Sequence, residues 1–220
     1  MADNVEMNVH KNTSDFKRPI KPYKVAFAGV YSVGKTSLFR RINGQYFTEE
    51  KPPSQENSTY DLIFPEENVV IPLKFWDTQD MERHDSVTQS YYRGSVFILL
   101  VYSVDNDSSL DDIPSIIDNI KRDEPTAKLL LLKNKIDLPK DEWILMDKEE
   151  TVLRRTNDKI YKKFSTSAKT KEGIDTLMEA LKKSSLQLFK RAESGHEDIK
   201  DLLSNRDKIT KDKKSYQCCS

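Results

Sequence analysis

Gly29-Val30-Tyr31-Ser32-Val33-Gly34-Lys35-Thr36 has the spacing G-x-x-x-x-G-K-[ST], which makes a phosphate-binding loop when a strand precedes it and a helix follows. Both flanks comply. Val25 to Ala28 reads as a short buried strand, and Leu38, Phe39 and Ile42 fall at helical spacing within Lys35 to Ile42. Such a loop aims successive backbone N–H groups, Ser32, Val33 and Gly34 among them, at phosphate oxygens, and the helix starting through Ser37 adds a favourable dipole. The Lys35 ammonium reaches the terminal phosphates, and the Thr36 hydroxyl is offered to Mg²⁺. An ordinary glycine turn is the plain alternative. It is disfavoured because the chain has only 6 glycines and two of them occupy the motif's fixed positions.

Outward from this loop, 43–60 is polar, carries Pro52 and Pro53, and shows no sustained periodicity, so it reads as a long loop, either functional or disordered. Asp61 to Phe64 and Val70 to Trp76 read as strands joined by a turn at Pro65 to Asn68, a hairpin. Val96 to Ser103, apolar on both faces, fits a central parallel strand. A helix over Leu110 to Ile120, a buried strand over Leu129 to Leu132, a weaker helix over Lys148 to Arg155 and a strand near Phe164 follow. After Gly173, Ile174, Leu177, Met178, Leu181 and Leu188 form one apolar helical stripe. Alternating strands and helices predict an α/β fold, a mostly parallel sheet with helices on both faces. The expected organisation is a flexible lead-in over 1–21, one domain over 22–190, and a tail over 191–220.

The 220 residues include 36 basic and 36 acidic side chains, so the net charge is zero. That excludes a uniformly basic nucleic-acid binder. The longest apolar run, Val96 to Tyr102, is far shorter than the roughly 20 residues of a membrane-spanning helix, and the N-terminal stretch lacks the apolar core of a signal peptide. A cytosolic location is expected. Cys218 and Cys219 are the only two cysteines, and their adjacency offers the fold no disulfide staple.

Asn134-Lys135-Ile136-Asp137 follows the strand at Leu129 to Leu132, at the strand end where open α/β sheets bind ligands. Its chemistry selects guanine. A carboxylate at Asp137 accepts from both the ring N–H and the exocyclic amine of guanine, whereas adenine has no such donor pair. Alone the tetrapeptide is a weak signal; with the phosphate loop before it and Ser167-Ala168-Lys169 after it, the joint signal is strong.

At this point the sequence resembles the small GTPases of the Ras superfamily, P-loop proteins with a six-stranded, mostly parallel sheet, and within them the Rab family. The resemblance covers about Lys24 to Phe189. Its Rab-like pieces are Phe75-Trp76-Asp77-Thr78 with Glu82-Arg83, then Ser90-Tyr91-Tyr92-Arg93-Gly94, and the paired Cys218-Cys219. The resemblance implies that Asn134, Lys135 and Asp137 hold the base of GTP or GDP, that the Ala168 amide contacts the guanine carbonyl, and that Lys169 packs along the ring. Phe47 matches the aromatic covering the base edge, with a buried loop anchor as its other reading. Asp77 matches the residue holding Mg²⁺ through water. Gap-free counting places the metal-binding hydroxyl of the first switch on Ser54; Thr59 is the alternative if the register slips.

Where small GTPases carry D-T-A-G-Q-E, this chain reads Asp77-Thr78-Gln79-Asp80-Met81-Glu82. The family's glutamine orients the attacking water, which the Met81 thioether cannot do. Asp80 replaces a glycine pivot with a negative charge beside a polyanion. Tyr31 stands at a usually small position of the phosphate loop, where it either crowds the γ-phosphate or reflects surface drift. Slow hydrolysis is therefore expected, with Lys35 as the remaining catalytic group. His10, His84 and His196 show no metal-ligand spacing. Of Tyr91 and Tyr92, one is expected to pack and the other to meet a partner.

The stretch from Asn205 to Ser215 carries Arg206, Lys208, Lys211, Lys213 and Lys214 against Asp207 and Asp212, 5 − 2 = +3. By resemblance, Cys218 and Cys219 beyond it form a double geranylgeranylation site. Two lipid chains and nearby lysines hold a protein at an anionic bilayer; an unmodified end is the alternative. The expected partners are an exchange factor, a GAP, effectors, a prenylation escort, a GDI-type chaperone and the cytosolic face of an endomembrane. Competing readings are a pseudo-GTPase scaffold held in one nucleotide state, and an ATP-using P-loop enzyme, which Asn134 to Asp137 argues against.

Overall fold

A computed structural model describes residues 15–49, 57–77, 91–143 and 148–195. Six strands, β1 (Tyr23–Ala28), β2 (Asn57–Phe64), β3 (Val69–Trp76), β4 (Ser95–Ser103), β5 (Lys128–Asn134) and β6 (Ile160–Ser165), form one sheet. The helices are α1 (Lys35–Ile42), α2 (Asp107–Asp111), α3 (Ile113–Asp123), α4 (Glu149–Arg154) and α5 (Ile174–Glu193). Strand order is β2-β3-β1-β4-β5-β6. The β2–β3 hairpin is antiparallel and every other pairing is parallel.

Alternation along β1 explains the two-sided core. Val25 and Phe27 face one layer with Leu38 and Phe39 of α1 and Leu177 and Leu181 of α5. Ala26 and Ala28 face the other, with Leu110 of α2, Ile117 and Ile120 of α3 and Leu153 of α4. β4, covered on both sides, buries all nine of its residues. The chain leaves β1 through α1 on one face toward β2 and β3, and leaves β4, on β1's other side, through α2 and α3 on the opposite face, so the crevice at the carboxyl end of β1 is where such sheets take ligands. The phosphate loop begins there.

Three segments depart from the expected pattern. The helix expected over Leu110 to Ile120 is two helices, broken at Asp112: the Asn106 side chain caps α2 by accepting from the Ser109 N–H at 3.1 Å. Pro114 lies in the first turn of α3, where its missing N–H costs nothing. β2 starts at Asn57 inside the expected long loop, because backbone register with β3, Asn57 opposite Trp76 onward, stabilises residues without apolar alternation. Part of the expected lead-in is also folded. Phe16 is buried, the Lys17 N–H donates to Asn68 O at 2.9 Å, and Val70 N–H donates to Lys17 O at 2.9 Å. Lys17 Nζ also pairs with Glu193 at 2.9 Å, tying this segment to the end of α5.

Phe16 is the one apolar side chain that 15–21 buries. Phe16→Ala is expected to lower unfolding stability by about 3 kcal/mol, the low end for losing a buried phenylalanine, with the urea midpoint as the measurement. An unchanged midpoint would mean that burial of this ring adds nothing to the fold. Among the described residues, no helix is long and apolar enough to cross a membrane.

Candidate nucleotide site

The loop from Gly29 to Gly34 leaves β1 with three residues at positive φ: Gly29 at 137°, Ser32 at 67° and Gly34 at 94°. At Gly29 a Cβ would sit 2.2 Å from the Val101 carbonyl oxygen of β4, so only glycine lets the loop lie this close to the sheet. Val33 is buried, Ser32 and Tyr31 are exposed, and Thr36 and Ser37 in the first turn of α1 are half-buried. The buried Lys35 side chain folds back over the loop. Its ammonium donates to Gly29 O at 3.0 Å and Val30 O at 2.6 Å, which holds the charge against the start of the loop.

The second motif meets the first. Asn134, at the end of β5, donates from Nδ2 to Val33 O at 2.8 Å in a buried setting, and its Oδ1 accepts from Thr166 Oγ1 at 3.3 Å. The third motif is bound in the same way. Ser167 Oγ donates to Asp137 Oδ1 at 2.5 Å, while the Thr170 N–H donates to Ser167 Oγ at 3.0 Å. Ala168 is buried and Lys169 exposed; the Lys169 carbonyl accepts from Arg41 Nη2 at 3.2 Å, which joins α1 to the base loop. The structure thus brings together Gly29, Ser32, Val33, Gly34, Lys35, Thr36, Ser37, Asn134, Lys135, Asp137, Ser167, Ala168 and Lys169 at one end of the sheet. Phe47, 36% exposed, is surface-borne and so not a buried anchor.

Sequence reading missed the residue that orients Lys135. Lys135 has φ 63°, and its ammonium pairs with Asp105 Oδ2 at 2.9 Å, while Ser103 Oγ donates to Asp105 Oδ1 at 2.7 Å. Burial alone would raise the Asp105 carboxyl; the hydrogen bonds from Lys135 and Ser103 and the lysine's charge outweigh it and hold the group below the usual carboxylate range. Nothing in the sequence marks Asp105, which lies 30 residues from its partner.

Asp77, just past β3, is fully buried, and its carbonyl accepts from Tyr91 Oη at 3.0 Å. With Thr36 it supplies hard oxygen donors of the kind Mg²⁺ takes. Among the described residues no three His, Cys, Asp or Glu side chains gather as a metal cage. Thr59 is an exposed residue of β2 opposite Lys74. Ser54, Asp80, Met81, Cys218, Cys219 and all three histidines lie outside the described residues. Tyr92 packs in the core against the α2–α3 side, and Tyr91 is half-buried.

A family model described as the Ras family matches residues 24–187. Among curated proteins, the Ypt/Rab-type GTPase YPT7 of Saccharomyces cerevisiae is 31% identical over 191 residues, 83% of this chain and 91% of its own length. Ras-related protein Rab-13 of Rattus norvegicus is 29% identical over 204 residues, 90% of this chain and 95% of its own. Ras-related protein Rab-37 of Homo sapiens is 30% identical over 199 residues, 90% and 86% respectively.

Proposed function

The chain belongs to the Ras family of small GTPases and is Rab-like, and on that premise we propose that it is a guanine-nucleotide switch of membrane traffic with unusually slow GTP hydrolysis. The observation that carries this reading is the Asn134 Nδ2 to Val33 O bond at 2.8 Å, which makes the guanine-selecting motif and the phosphate loop two walls of one site. In this reading Asp137, fixed by Ser167, accepts from the guanine edge, and the Ala168 amide donates to the ring carbonyl. The loop amides and Lys35 take the phosphates. Thr36 and Asp77, with Ser54 from the first switch, would hold Mg²⁺, which neutralises charge on the β- and γ-phosphates.

The chain's own residues then set the rate. In this reading Met81 cannot orient a water, Asp80 would bring a negative charge toward the γ-phosphate, and Tyr31 would narrow the space open to a partner's arginine. Intrinsic turnover is expected at or below the order of ~10⁻⁴ per second, and a GAP that relies on the chain's own glutamine has little effect. Single-turnover hydrolysis tests this on the wild type beside the double variant Asp80→Gly, Met81→Gln. Faster hydrolysis in the double variant supports the reading; brisk hydrolysis by the wild type refutes it.

GTP-dependent contacts of the two switch regions would recruit effectors. Lipids on Cys218 and Cys219 would hold the protein at the cytosolic face of an endomembrane, handled by an escort and a GDI-type chaperone. The departures at Asp80 and Met81 also support a second reading, a scaffold held in one nucleotide state. Nucleotide content after purification distinguishes the two, since a scaffold would carry one nucleotide and exchange none.

A further inference from the structure

Lys24 is a charged residue in an otherwise apolar strand, set opposite Lys74 of β3 and beside Ser95 of β4. Its ammonium donates to the carbonyls of Tyr91 and Arg93, the latter at 3.0 Å. It also stands 4.7 Å from the centre of the Trp76 ring and 5.9 Å from that of Tyr91. The two rings meet edge to face at 5.8 Å. Tyr91 in turn donates from its hydroxyl to the carbonyl of Asp77, the residue after Trp76. One ammonium therefore fastens Trp76–Asp77 to Tyr91–Arg93, the residues that flank 78–90.

Fold stability alone does not call for this charge. Burial pushes the ammonium down to about 8, with Lys74 opposing the charge and Glu124 favouring it, so ionised Lys24 carries a desolvation cost. A methionine of similar length would fill the space without that cost. What a cationic donor supplies and an apolar side chain does not is a pair of strong bonds to the Tyr91 and Arg93 carbonyls, and Tyr91 is the residue that holds Asp77.

We propose that Lys24 is a positioning residue for the metal side of the nucleotide site: through Tyr91 it fixes the backbone at Asp77 and so sets the Mg²⁺ concentration at which the chain retains GDP. The proposal rests on the nucleotide reading above. Partners of this outer kind change metal affinity by roughly 10- to 100-fold when removed. The test follows release of a fluorescent GDP analogue from the full chain across a Mg²⁺ titration, with the melting temperature recorded alongside.

Lys24→Met is expected to move the half-retention Mg²⁺ concentration up by about tenfold without lowering the melting temperature. Lys24→Arg should stay near wild type, and Tyr91→Phe, which loses only the hydroxyl, should move the same way as Lys24→Met. A Lys24→Met midpoint equal to wild type overturns the proposal, as does a shift that tracks a lower melting temperature and is not recovered by arginine. If Lys24→Met does not fold, Tyr91→Phe decides by the same criterion. Wild-type chain that takes up no GDP overturns the nucleotide reading itself, and the proposal with it.

Discussion

Asp137→Asn is expected to lower affinity for guanine nucleotides by about 10⁴-fold, the scale on which a site built to bond a polar edge rejects a ligand that cannot satisfy it. The geometry keeps this substitution local. Ser167 Oγ donates to Asp137 Oδ1 at 2.5 Å, and an asparagine oxygen in that place accepts the same bond, so the loop from Ser167 to Thr170 keeps its anchor. What changes is the oxygen facing the base, which becomes an amino group directed at the donors of guanine. Two donors then confront each other in a partly desolvated site, where an unmatched polar group costs most. A xanthine base carries a carbonyl where guanine has its amine, so xanthosine nucleotides should bind the variant better than guanosine nucleotides. Competition between GDP and XDP on both proteins is the measurement. A variant that still prefers GDP would place the base elsewhere than against Asp137.

The residues behind this prediction were legible in the sequence because fixed spacing constrains them: the loop from Gly29 to Thr36, the tetrapeptide at Asn134 and the triplet at Ser167 are each local. The central strand was legible for a different reason, since Val96 to Tyr102 is apolar on both faces and only full burial suits such a run. What escaped reading depends on partners far along the chain. Asn57 to Tyr60 look like a loop, yet backbone bonds to β3 make them strand. Phe16 sits alone in a polar stretch, without the periodicity that would announce burial, and is placed by the β2–β3 turn some fifty residues on. Lys24 finds its acceptor 67 residues away, and Asp105 orients Lys135 across 30. A side chain's aim across the sheet leaves no mark on its neighbours in sequence, so the supporting shell of the site is the part that structure adds.

Gly34→Ala probes whether the two motifs act as one site, and it should cost GDP affinity on the order of 100-fold while the fold survives. Alanine at φ 94° is strained by about 1–3 kcal/mol. Its Cβ would also lie 2.4 Å from Asn134 Nδ2, so that amide must turn away. Turning it breaks the bond to Val33 O, and the base-holding and phosphate-holding segments lose their joint. Gly29→Ala provides the contrast, because there the added carbon meets the backbone carbonyl of Val101 at 2.2 Å, and φ 137° adds strain. A side-chain amide can swing aside, whereas a carbonyl in the central strand cannot move without unpairing the sheet. Gly29→Ala should therefore appear as loss of soluble folded protein, and Gly34→Ala as folded protein with weak nucleotide binding and a modestly lower melting temperature. If Gly34→Ala binds GDP as tightly as wild type, the contact between Asn134 and the phosphate loop is packing without functional consequence, and the two motifs bind independently.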